Sequence, residues 1–181
     1  MVVSAALLLR EKGVSGTSFG DVIAHSGAPR GSIYHHFPGG KAELVEAAVR
    51  YAGDYVAGAI ERSDGDPVAA LHALTAFWRA TLEDSDFRAG CPVVAVAVES
   101  GDEERAEAAA AAEVFVAWRV SLERLLRARG LTAARARRLA TTSIAAIEGA
   151  VVLCRAERDV RPLLDVSREL ELALTGALAA A

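Results

Sequence analysis

Between residues 30 and 41 the chain places six side chains capable of directed polar chemistry: Arg30, Ser32, Tyr34, His35, His36 and Lys41. Metal binding by a helical pair needs imidazoles at i and i+4, and His35 and His36 are adjacent. Cys91 and Cys154 stand far apart with no Cys or His at ligand spacing, which fits neither a zinc site nor a disulfide framework and suits a reducing compartment. Gly39-Gly40-Lys41 lacks the remaining glycine and hydroxyl positions of a phosphate loop. No nucleophile has a base at workable spacing, so neither an enzyme nor a metal or cofactor is expected. Nucleic-acid recognition fits better. Arg30 supplies charge for a phosphate or a guanine edge, Gly31 allows close backbone approach, and Ser32 can donate or accept. Tyr34 and His35 carry flat rings with polar tips, Lys41 adds a cation, and Thr17 or Ser18 can hold a phosphate at a helix N-terminus. His36 has a second reading as a residue tied to backbone, and His25 reads as a solvated helix residue.

These side chains need short helices to present them. A first helix over about Val3 to Lys12 ends at Gly13. Thr17 or Ser18 caps a second, with Phe19, Val22, Ile23 and Ser26 on one face and Gly27 at its end. Pro29 stands where a third, very short helix begins, anchored by Ile33 and Phe37. Two short helices joined by a glycine-containing turn make a helix-turn-helix, whose second helix can enter a major groove. A helix pair alone is common in helical proteins.

The rest of the chain is also helical by period. Alanine occurs 39 times and proline 5 times in 181 residues, a composition that favours helix throughout. Lys41 to about Glu61 forms a fourth helix, and Pro67 opens a fifth with Leu71, Leu74, Trp78 and Leu82 on one face. Cys91 to Val98 alternates like a strand, but no second strand exists to pair with it, so a short helix is expected. Asp102, Glu103 and Glu104 favour the start of a seventh helix carrying Phe115, Trp118, Leu122 and Leu125. Thr132 caps an eighth and Pro162 starts a ninth. The expected fold is all-α, about nine helices.

The formal net charge is −4. Residues 1 to 50 hold five Lys/Arg against four acids and three of the four histidines, so the acidity belongs to the remainder and the N-terminal part tolerates a polyanion. No signal peptide opens the chain, and the apolar run Leu139 to Cys154 is short for a bilayer and carries Glu148. A cytoplasmic protein with no membrane partner is expected. In the eighth helix Ile144, Ile147, Val151 and Cys154 form one stripe and Leu139, Ala146, Ala150 and Leu153 another. In the ninth, Leu163, Val166, Leu170 and Leu174 form a seam that Leu164, Leu172 and Leu178 widen. The surplus predicts a symmetric dimer through a four-helix bundle, with Ile144, Ile147, Val151, Leu163, Val166, Leu170 and Leu174 at the interface; a monomer with a large core is the alternative.

The run Thr17-Ser18-Phe19-Gly20-Asp21-Val22-Ile23, then Gly27, then Arg30-Gly31-Ser32-Ile33-Tyr34-His35-His36-Phe37 and Lys41-Ala42-Glu43-Leu44, resembles the DNA-binding domain of the TetR family of transcriptional regulators. Pro38-Gly39-Gly40, with Gly90-Cys91-Pro92 and the valine-rich run after it, resembles the LmrA/YxaF-like branch. The resemblance implies a three-helix DNA-binding head (residues 1–42) and a larger ligand-binding and dimerisation domain (residues 43–181), in a homodimer that meets successive major grooves of a palindromic operator. It places DNA contacts on Thr17, Arg30, Gly31, Ser32, Tyr34, His35, His36 and Lys41, and an effector cavity near Phe77, Trp78, Phe87, Phe115 and Trp118. An apolar cavity with few polar groups suits a lipophilic small molecule, although each aromatic also reads as ordinary core. Members usually carry a basic arm before the first helix, which here starts almost at Met1; without an arm the salt dependence of DNA binding is expected to be shallower. The implied function is a ligand-responsive repressor, against the alternative of a helical small-molecule-binding protein without specific DNA binding.

Overall fold

A computed structural model describes residues 1–101 and 105–181. Among the described residues the chain forms α1 (Val2–Lys12), α2 (Phe19–Ser26), α3 (Ser32–His36), α4 (Lys41–Glu61), α5 (Pro67–Asp84), α6 (Pro92–Glu99), α7 (Arg105–Ala128), α8 (Ala133–Glu157) and α9 (Arg161–Ala179), with no strand. The fold is all-α. Asp102, Glu103 and Glu104, expected to favour the start of the seventh helix, lie outside the described residues.

Local chemistry sets the boundaries. Ser18, not Thr17, caps α2: its hydroxyl accepts the Asp21 N–H at 3.1 Å while the Asp21 carboxylate accepts the Ser18 N–H at 2.9 Å, a reciprocal capping box. Gly27 ends α2 in the left-handed conformation (φ +69°), which costs a residue without Cβ nothing. Pro29 does not open α3 as expected from its type. Its carbonyl accepts the Ser32 N–H at 3.0 Å and the Ser32 hydroxyl at 2.6 Å, closing a turn, and the helix begins only at Ser32. Asp66 caps α5 through the Val68 N–H, with Pro67 as first residue. The alternating valines form α6, because Pro92 sits where a helix needs no N–H and Val93 and Val96 turn into the core.

Packing divides the chain into two compact units that do not follow chain order. The first joins Met1–Asp54 with Gly90–Phe115. Here α1 packs on α2 and α6, the Gly90 N–H donates to the Arg10 carbonyl at 2.7 Å, and Leu9, Val22, Ile33, Val49, Val93 and Val96 are fully buried. The second unit joins Tyr55–Ala89 with Val116–Ala181, and α8 and α5 both pack on α9 and on each other. A buried hydroxyl pair, Thr75 with Ser167 at 2.9 Å, links α5 to α9.

This second core takes in most of the side chains expected at the dimer interface. Ile144, Ile147, Val151, Leu163, Leu170 and Leu174 are at most 7% exposed and Val166 is half-buried, because α5, α8 and α9 close on one another within a single chain. Large apolar side chains that still face outward on these helices include Val152, Leu153 and Leu172. By length and composition α8 is also a candidate to cross a bilayer, and half of that apolar window is buried inside the protein, as in a core helix.

Candidate nucleic-acid interface

Five residues of α3 are held by two anchors. Ile33 is fully buried and Phe37, just past the helix, is 9% exposed, so the inner side of the segment is committed to the mini-core. Apart from the half-buried Ser32, the rest points out. Arg30, Gly31, Tyr34, His35 and His36 are exposed, and no Asp or Glu occurs from Val22 to Ala42. Tyr34 is 68% exposed, yet its ring is fixed edge-on against Phe19 of α2, centroids 5.6 Å apart at 82°. This geometry aims the phenol outward from a stiff base. The His35 and His36 rings stack edge-to-face at 5.4 Å, both on the outside, so His36 is not the inward residue its alternative reading required. A Cβ built on Gly31 meets nothing within 4 Å, so nothing in the protein itself demands glycine there. Ser32 is half-buried and its hydroxyl is engaged by the Pro29 carbonyl.

Thr17 stands elsewhere. It is 4% exposed, its hydroxyl donates to the Gly13 carbonyl at 2.7 Å and its N–H to the Val14 carbonyl at 3.2 Å. Its hydroxyl proton and its N–H are both engaged within the α1–α2 turn. The Ser18 hydroxyl and then its N–H hold the Asp21 carboxyl below its usual range, which keeps a negative charge at the start of α2.

Lys41 begins α4 and reaches back to the same turn: its Nζ donates to the Val14 carbonyl at 2.6 Å. The turn's other partner is Glu99, the last residue of α6. Glu99 Oε1 accepts the Val14 N–H at 3.1 Å, and Oε2 accepts the Ser15 N–H at 2.9 Å and the Ser15 hydroxyl at 2.7 Å. Burial works to raise the Glu99 carboxyl, but the bonds from Ser15 and Val14 and the nearby Lys41 charge outweigh it, and the group is held below its ordinary value. Sequence reasoning missed Glu99. It lies 84 residues from Ser15, and no local pattern marks it.

The five aromatics expected near an effector do not share one of the described cavities. Trp78 and Trp118 are at most 3% exposed. Phe77 is half-buried between Tyr55 and Trp78, with ring centroids 5.0 and 4.9 Å away. Phe87 lies in the turn after α5 at φ +58°, with the Arg158 guanidinium 6.0 Å from its ring. Phe115 belongs to the first packing unit and Trp118 to the second. Within the second unit, an open groove of about 290 Å³ is lined by Tyr55, Ala59, Arg62, Ser63, Ala69, Ala73 and Phe77. A narrow apolar cavity of about 10 Å³, room for one water, lies among residues of α5, α7, α8 and α9. It includes Ser143, whose buried hydroxyl has no hydrogen-bond partner. Burial raises the Cys154 thiol above its ordinary value, which keeps it protonated and unreactive.

Comparison with known proteins bears on both parts of the chain. Residues 2–48 match the model of bacterial regulatory proteins of the tetR family, and residues 67–169 match the C-terminal domain of LmrA/YxaF-like transcriptional regulators. An HTH-type transcriptional regulator of Mycobacterium tuberculosis is 47% identical over 175 residues, covering 94% of this chain and 90% of its own. The HTH-type transcriptional regulator LmrA of Bacillus subtilis is 31% identical over 92% of this chain and 90% of its own. Among solved structures, a TetR transcriptional regulator from Chloroflexus aurantiacus superposes with a TM-score of 0.77 at 30% identity, covering 96% of this chain and 91% of its own.

Proposed function

The chain belongs to the TetR family of bacterial transcriptional regulators, with an LmrA/YxaF-like C-terminal domain, and from that premise we propose that it is a dimeric, ligand-responsive repressor of a palindromic operator. It is a DNA-binding regulator, not an enzyme. The observation that carries the proposal is the outward side of the segment from Arg30 to Phe37, on which Arg30 in the turn before α3 and Tyr34, His35 and His36 of α3 are exposed, anchored by Ile33 and Phe37 and free of acids. Such a helix can lie in a major groove, with Gly31 letting the backbone approach and Lys41 on a flanking phosphate. Ser32 contributes through the turn it closes more than through a free hydroxyl.

Two copies place two such helices on successive grooves. The outward Val152, Leu153 and Leu172 of α8 and α9 supply the partner-facing surface, and the protein works in the cytoplasm. A lipophilic effector in the second unit shifts the population toward an arrangement that no longer matches the groove spacing, by no more than its differential affinity for the two arrangements. The test is a mobility shift on the chain's own upstream intergenic DNA. A salt-sensitive complex that Arg30→Ala abolishes, with the dimer intact by sedimentation, is the expected result. Binding no better than to random sequence overturns the operator reading and leaves a helical small-molecule-binding protein.

A further inference from the structure

The turn between α1 and α2 is gripped from two sides. On one, the Glu99 carboxylate takes three hydrogen bonds, from the Val14 N–H, the Ser15 N–H and the Ser15 hydroxyl. On the other, Lys41 Nζ donates to the Val14 carbonyl. Val14 is therefore held at both its N–H and its C=O, the first by the end of α6 and the second by the start of α4 together with the Thr17 N–H at 3.2 Å.

We propose that Glu99 is a positioning residue for DNA binding: by fixing the Gly13–Gly16 turn it fixes the Val14 carbonyl that holds the Lys41 ammonium where a DNA phosphate is met. Three observations support this. The α6 helix already has its packing from Val93 and Val96, both fully buried, so the carboxylate at its exposed end is not needed to seat it. Gly13 keeps φ +73°, and a Cβ there would lie 1.9 Å from Glu99 Oε1, so the turn is shaped to admit this carboxylate. An ammonium has three donors, and one spent on Val14 leaves two for a phosphate. Holding a long lysine side chain in advance also lowers the ordering cost at binding.

The inference rests on Lys41 as a phosphate contact, and the experiment separates the two. Full-length wild type, Lys41→Met, Glu99→Ala and the double variant are titrated by fluorescence anisotropy onto a duplex enriched from random-sequence DNA by the wild type, across a range of salt. Losing one phosphate contact flattens the slope of log K against log salt by about 0.9 and weakens binding about tenfold near 0.1 M salt. Lys41→Met and Glu99→Ala are each expected to do this, and the double variant is expected to be no worse than either. Glu99→Gln, whose amide nitrogen cannot accept a hydrogen bond as the carboxylate oxygen does, is expected to flatten the slope in the same direction and serves if Glu99→Ala loses its helical circular dichroism.

A purely structural Glu99 weakens binding without changing the slope, and that result overturns the proposal while Lys41 stands. Additive losses, about a hundredfold in the double variant, also overturn it. An unchanged slope in Lys41→Met removes the phosphate contact and this inference with it. Failure of the wild type to enrich any duplex removes the repressor reading itself.

Discussion

Ten of the twenty-five residues of α8 are buried, whereas α3 keeps five residues in place with Ile33 and the neighbouring Phe37. The long helix is specified by its own periodicity and by mutual burial with α5 and α9. The short one borrows its order from neighbours: the Pro29–Ser32 turn before it and the Phe19 ring under Tyr34. A helix of five residues is too short to be stable alone, so its position is set by contacts rather than by propensity. Sparse anchoring is also what leaves its outer face free for a ligand as large as DNA. The deepest burial and the exposed polar face thus lie in different regions, and substitutions can be chosen to strike one and spare the other.

The largest effect on stability is expected in the second unit. Leu163→Ala, at a fully buried position of α9, should cost about 2–5 kcal/mol in urea unfolding. A loss under about 1 kcal/mol would mean that this core is loosely packed and the contrast with α3 is false. Tyr34→Ala reverses the pattern: DNA affinity should fall by about 1–3 kcal/mol, as for loss of a good base contact. Its unfolding free energy should drop by no more than about 1 kcal/mol from the lost Phe19 edge contact. A large stability loss with unchanged DNA affinity would make Tyr34 a packing residue. Ser18→Ala should cost about 1 kcal/mol, seen as faster hydrogen exchange in α2.

The same capping box gives a pH dependence with a definite sign. The Asp21 carboxyl is held below its usual value in the folded chain, so its stabilising contribution is fully present above the unfolded pKa and is lost as pH falls through the folded one. Hydrogen exchange in α2 should quicken over that acid window in the wild type and show no such step in Ser18→Ala. The smallest structural effect is expected from Gly31→Ala, where an added methyl meets nothing in the protein. Stability should stay within about 0.5 kcal/mol while DNA binding weakens, and equal DNA binding would remove the close backbone approach from the model of recognition.

Helices were legible wherever a breaker or cap coincided with apolar period. Gly27, Thr132 and Pro67 mark real boundaries, and the lack of any partner strand correctly turned the valine run of α6 into a helix. Pro29 misled, because its residue type permits a helix start but its carbonyl was taken by a tighter turn. The polar face of α3 was legible because Ile33 and Phe37, four apart, must turn inward together and carry the others outward. Thr17 was not: a threonine before a helix can cap it, hold a phosphate or close the preceding turn, and only its burial against Gly13 selects the last. The interface residues expected on α8 and α9 meet a related limit. Surplus apolar surface says that something must cover it, without saying whether the cover is the same chain or another.

The sequence by itself determined the helical class, the helix-turn-helix and the acid-free polar face of its second helix, because periodicity, caps and residue types act within a few residues of one another. Only the tertiary structure decided that α6 joins α1 and α2 in one packing unit, that Ile144, Ile147 and Val151 of α8 and Leu163, Leu170 and Leu174 of α9 face inward, and that Glu99 grips the turn at Val14 and Ser15. Those outcomes depend on which surfaces meet across long stretches of chain. A hydrogen bond to a residue 84 positions away leaves no trace in local spacing.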